Sequence, residues 1–118
     1  MSQRMPTIAL LDETRKLAGF LLLAGDAPLG PAPSRDCLFM VPPLPFASPA
    51  KDVLTERKHA EFGVAISLEG TAFSLKGSCQ ETELLEVYLP QSGMGTWKIS
   101  SGEGILAAGT CELAKGGK

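Results

Sequence analysis

The chain has 118 residues, a formal charge of −2, 44% hydrophobic side chains and 20% charged ones. These values describe one packed domain and exclude a disordered chain, which needs low hydrophobicity and high net charge. They also argue against sequence-independent nucleic-acid binding, which draws its free energy from clustered Lys and Arg displacing counterions.

The N-terminal segment carries two overlapping patterns. Leu10, Leu11, Leu17, Ala18, Leu21 and Leu22 fit a helical stripe, whereas Thr7–Leu11 and Leu17–Leu23 fit two strands joined across residues 12–16. One or two short helices and a hairpin both remain open. Residues 17–24 follow Arg15 and Lys16 as the apolar core of a signal peptide would, but Asp12 and Glu13 lie upstream and no A-x-A site follows. The stretch is also shorter than the roughly 20 apolar residues that a membrane-spanning helix needs. The expectation is a cytoplasmic chain without a membrane partner.

Residues 28–49 hold seven of the nine prolines: Pro28, Pro31, Pro33, Pro42, Pro43, Pro45 and Pro49. Proline lacks an amide donor and fixes φ, so regular helix and central strand are both expected to be absent there. The segment from Cys37 to Phe46 is nevertheless apolar almost throughout, and full exposure would present an unusually large hydrophobic surface. Two readings follow. It folds back on its own core with Phe39 and Phe46 as anchors, or it forms an extended arm that docks on a neighbouring subunit or partner through Phe39, Met40, Pro42, Pro43, Leu44, Pro45 and Phe46. The Pro42–Pro45 stretch has a P-x-x-P spacing, which any proline-dense loop produces by chance. Ser48 and Pro49 suit the cap and first turn of a short helix reaching about Lys58.

Residues 61–114 alternate apolar and polar positions and are broken by turn residues at short intervals, the signature of a strand meander. Phe62, Val64, Ile66 and Leu68 share one face, and Glu69-Gly70 offers a turn into a strand carrying Phe73 and Leu75. Glu83–Leu89 sets Leu85, Val87 and Leu89 against Glu86 and Tyr88 before Pro90 ends it. Trp97 and Ile99 mark a fourth strand, and Gly102-Glu103-Gly104 turns the chain into a fifth over residues 105–113. The predicted fold is therefore a single mainly β domain, residues 1–118, built as a small antiparallel sandwich or barrel with a proline-rich apolar arm.

The residues able to carry chemistry are isolated from one another in the sequence. Cys37, Cys79 and Cys111 are far apart, with no C-x-x-C pair for zinc or dithiol chemistry, and read as small buried hydrophobes in a reduced compartment. His59 is the single histidine and sits beside Arg57 and Lys58, a cationic setting that opposes protonation. Glu81, Glu83 and Glu86 read as the wet face of an edge strand. Gly102, Gly104 and Ala107 match the letters of a dinucleotide fingerprint, but the chain after them is too short for the required helix and second parallel strand. No catalytic, metal or cofactor site is assigned. The first expectation is a non-enzymatic structural or binding subunit that forms a homo-oligomer or docks on a protein partner through the arm. The alternatives are a small-molecule-binding barrel, with an interior left roomy by Gly63, Ala65, Ala107, Ala108 and Gly109, and an enzyme using His59 or a cysteine.

Overall fold

The computed structural model describes residues 6–25, 27–43, 45, 48–58 and 60–114. Eight strands close into an antiparallel barrel in which each strand pairs with its neighbours in sequence, and the last pairs with the first. They are β1 (Thr7–Leu11), β2 (Leu17–Leu23), β3 (Ala32–Met40), β4 (Phe62–Glu69), β5 (Ala72–Gln80), β6 (Glu83–Leu89), β7 (Gly95–Ser101) and β8 (Gly104–Leu113), with one helix, α1 (Pro49–Arg57), between β3 and β4. No helix among the described residues is long and apolar enough to cross a membrane.

Period-two patterning decides which side chains fill the ring, because residues directly opposite each other across a ladder share a face. Leu75, Val87 and Trp97 stand in one such inward row, and Leu85 and Ile99 in the next. Leu21 opposes Phe39, and Leu23 opposes Cys37, which opposes Phe62. The Phe39 and Phe62 rings meet at 5.3 Å between centroids, tilted by 44°. With Ile8, Leu10 and Leu89 these side chains form one buried cluster, against which the half-buried Phe62 packs. The barrel is thus a filled core, its inward side chains meeting across the middle.

The N-terminal segment is the hairpin, with β1 and β2 paired from Thr7–Leu22 to Leu11–Leu17, so no helix forms there. A register shift between Leu10 and Leu11 leaves Ala18 as an extra residue in β2. The turn is held by the buried Asp12 carboxylate, whose Oδ1 accepts from Thr14 N (2.8 Å), Thr14 Oγ1 (2.7 Å) and Lys16 N (3.0 Å). Burial pushes this carboxyl up, but the hydrogen bonds more than offset it and the net shift is downward.

The expectation that residues 28–49 lack regular strand is overturned by β3, which runs through the middle of the segment. Proline position, not proline number, explains this. Pro28 and Pro31 precede the strand, and Pro42, Pro43, Pro45 and Pro49 follow it. Pro33 lies inside, where the pairing with β4 jumps from Ala32–Ile66 to Arg35–Val64, and a bulge is where a missing amide donor is tolerated. The β2–β3 loop is pinned over its end of the barrel by Arg35, whose guanidinium donates to the carbonyls of Ala24 (2.9 Å), Ala27 (2.8 Å) and Pro28 (3.2 Å).

Barrel closure depends on a close approach near the β1–β8 seam. The Trp97 indole Nε1 donates to the Leu11 carbonyl at 2.9 Å. Gly109, opposite Trp97, faces the same oxygen, and a Cβ at that position would overlap it. Glycine is required there by space, since β1 could not otherwise lie so near.

Helix α1 begins where the sequence places it. Ser48 is the N-cap and accepts from Lys51 N at 3.1 Å, and Pro49 occupies the first turn. The helix packs on β2, β3 and β8 and buries Ala50 and Leu54. A Cβ on Gly19 would stand 2.9 Å from the Leu54 Cδ1, so the missing side chain in β2 is the seat for Leu54. Ser48→Ala is expected to lower stability by about 1 kcal/mol through loss of the cap, read as a shift of the denaturant midpoint.

Candidate functional site

The β1–β2, β5–β6 and β7–β8 turns lie at the same end of the barrel as α1, because each joins an odd-numbered strand to the next around the ring, as the β3–β4 connection carrying α1 does. Arg57, in the last turn of α1, reaches Glu83 at the start of β6. Its Nε donates to Glu83 Oε1 and its Nη2 to Glu83 Oε2, both at 2.6 Å, while Nη1 donates to the Val53 carbonyl at 2.7 Å. The two side chains are only 10% and 11% exposed. The fork of paired hydrogen bonds holds the Glu83 carboxyl below its ordinary range and the guanidinium above its own.

Glu83 had read as part of a wet edge, and the closed ring corrects that reading. No strand is an edge, and Glu83 continues the inward face of Leu85 to the barrel rim, where Arg57 meets it. Glu81 is exposed, and Glu86 lies on the outer face with Lys98 Nζ at 3.4 Å. The distant cation at Arg57 was not signalled by local pattern, because α1 and β6 are 26 positions apart at this contact.

All three cysteines are buried and unpaired by disulfides. Burial raises the Cys37 and Cys111 thiols to about 12 and the Cys79 thiol to about 11, the neighbouring Glu83 charge adding to the last. Cys79 Sγ lies 3.8 Å from Glu83 Oε1, Cys37 Sγ lies 3.4 Å from the Phe62 carbonyl, and Cys111 Sγ lies 3.4 Å from the Thr96 carbonyl. Thiols so placed are protonated at neutral pH and behave as packing groups. His59 lies outside the described residues. Among those residues, no group of three or more His, Cys, Asp or Glu is placed to hold a metal. The Gly102–Gly104 stretch is the turn between β7 and β8, and Ala107 follows in β8.

The residues expected to form a partner-contact arm are divided by the fold. Phe39 is fully buried inside the barrel, while Met40, the next residue, faces outward and is 42% exposed. Pro42 is half-buried, and Pro43 and Pro45 are exposed. Leu44 and Phe46 lie outside the described residues. The residues expected to leave the interior roomy are also divided: Gly63, Ala65 and Ala108 stand on the outer face, whereas Ala107 faces inward opposite Ile99 and the space at Gly109 is taken by the Leu11 carbonyl.

The connection that leaves β3 at Met40 arrives at Ser48 and Pro49 in the wall of a cleft of about 380 Å³. Pro49, Ala50, Leu106, Ala107 and Ala108 give the cleft its apolar lining, and Asp12, Glu13, Thr14 and Lys16 its polar one. A register shift between β7 and β8 places Leu106 between Ile105, paired with Ser100, and Ala107, paired with Ile99. That bulge turns Leu106 outward beside Ile105, which is 62% exposed. Sequence alternation predicted the strand but gave no sign of the bulge.

Compared with known proteins, the chain matches no family model, no curated protein and no solved structure.

Proposed function

We propose that this protein is a non-enzymatic β-barrel module that binds a second copy of itself through the stretch leaving β3 and the cleft beside the start of α1. The observations that carry this reading are the exposed Met40, Pro43 and Pro45 after β3, and the cleft at the start of α1 that is partly lined by Leu106, beside the exposed Ile105. Outward apolar groups gathered on one connection and one bulge are the ordinary chemistry of a self-complementary contact. The filled core directs binding to the outer surface, since Trp97, Phe39 and their neighbours occupy the space an internal ligand would need.

Light scattering across a concentration series tests the proposal. The natural chain is expected to exceed the mass of one copy as concentration rises, and a Met40→Glu, Leu106→Glu variant with unchanged circular dichroism is expected to stay at one copy. A natural chain that remains a monomer up to its solubility limit overturns the reading.

A further inference from the structure

Strand register sorts the outer face of β5 to β8 into two polar rows. Ser74 stands opposite Tyr88, and Tyr88 opposite Thr96, so one row carries three hydroxyls. The next row sets Lys76 opposite Glu86, Glu86 opposite Lys98, and Lys98 opposite Ala108. Ser74 and Ala108 are short and the side chains around them are long, so the two rows enclose a groove of about 470 Å³, within the size range of small-molecule sites. It shares only Ala108 with the cleft beside α1.

The chemistry of the groove selects among ligands. Glu69 and Glu86 balance Lys76 and Lys98, so its charges cancel and neither sign of ion is favoured. Ser74 is 7% exposed, yet its hydroxyl has no hydrogen-bond partner among the described residues. A nearly buried hydroxyl without a partner is costly, and a ligand that supplies one is favoured. Lys98 Nζ lies 3.4 Å from Glu86, whereas Lys76 has no ion pair among the described residues and keeps its donors free. Tyr88, 44% exposed, adds an apolar ring with a polar tip.

From this arrangement we infer that the outer face of β5 to β8 binds a neutral saccharide, with sugar hydroxyls bonded to Ser74, Lys76 and Glu86 and one sugar ring packed on Tyr88. Mixed donors and acceptors beside an aromatic ring match the alternating O–H and C–H surface of a sugar, and the charged groups make the stronger bonds to its hydroxyls. Neighbouring strands lie about 4.8 Å apart, which spaces the groups of one row to meet hydroxyls on opposite sides of one pyranose ring.

The test titrates the full, isotope-labelled chain with maltose, cellobiose, lactose and N,N′-diacetylchitobiose in turn, with sodium glucuronate and sodium sulfate as anionic probes, and follows the backbone amide resonances. At least one of the disaccharides is expected to shift the amides of Ser74, Tyr88 and Lys98 saturably, with a dissociation constant of about 1 mM or tighter, while those of β2 and β3 stay in place. Ser74→Ala and Tyr88→Ala are each expected to weaken that binding about ten-fold with the resonances of β2 and β3 unmoved. No saturable shift from any of the disaccharides at about ten times that concentration overturns the inference, and this result needs no variant. Glucuronate or sulfate acting on the same amides more tightly than every sugar overturns it as well, since the groove would then be an anion site. Undiminished sugar binding by a folded Tyr88→Ala chain does the same.

Discussion

Replacing Trp97 with alanine is expected to cost the fold about 4 kcal/mol, the range for emptying a large buried aromatic site. That is a third or more of the stability of many small domains, which have roughly 5–15 kcal/mol in total. The expectation rests on two separate roles. The ring is 2% exposed and fills the barrel between Val87 and Gly109. Its Nε1 also satisfies the Leu11 carbonyl across 86 positions of sequence, at the seam where the ring closes. Trp97→Phe keeps most of the first role and loses the second, and is expected to cost about 1–2 kcal/mol. Urea unfolding followed by far-ultraviolet circular dichroism is the suitable measurement, because Trp97 is the single tryptophan and its fluorescence disappears with it. A loss below about 1 kcal/mol for the alanine variant would remove the indole from its place at the centre of the core.

Breaking the Arg57–Glu83 pair from one side is expected to cost about 3 kcal/mol, since the remaining charge stays nearly buried without its partner. Replacing both, as Arg57→Met with Glu83→Gln, is expected to recover much of that loss, so a double-mutant cycle should show strong non-additivity. Additive single effects would mean the pair is not a unit. The pH dependence has a definite sign. The folded Glu83 pKa is lowered beneath its ordinary 4.5, so its contribution is complete above about that pH and is lost as pH falls through the lowered value. Asp12, lowered from 3.8, acts in the same direction. Stability of the natural chain should therefore fall on acidification below pH 4.5, and Glu83→Gln should fall less steeply because the Glu83 share is gone. Identical slopes would show that Glu83 has the same pKa folded and unfolded.

The sequence was most legible where local chemistry alone sets the structure. Strand β6 has the bounds that its alternation and Pro90 predict, and α1 starts at the Ser48–Pro49 signal. The five expected strands after residue 60 are β4 to β8, with Gly70 taking the left-handed turn conformation at φ 68°. Legibility failed where the answer depends on closure. Leu17–Leu23 is apolar on both faces, and its choice of strand over helix follows from its ladders to β1 and β3, which no local window contains. Strand β3 was hidden by counting prolines without noticing that only Pro33 falls between Ala32 and Met40. In the candidate site, Met40 and its prolines stood out by composition, while Leu106 did not, because a bulge is a property of two paired strands. The Arg57–Glu83 contact escaped for the same reason.

A complete ring of strands also restricts how this molecule can be recognised. Every strand already has a neighbour on each side, so an incoming peptide finds no free row of main-chain amides and carbonyls on which to zip as an extra strand. Attachment must then be read out by individual side chains and turns, and it should be erasable by single substitutions in a way that backbone-mediated strand addition is not.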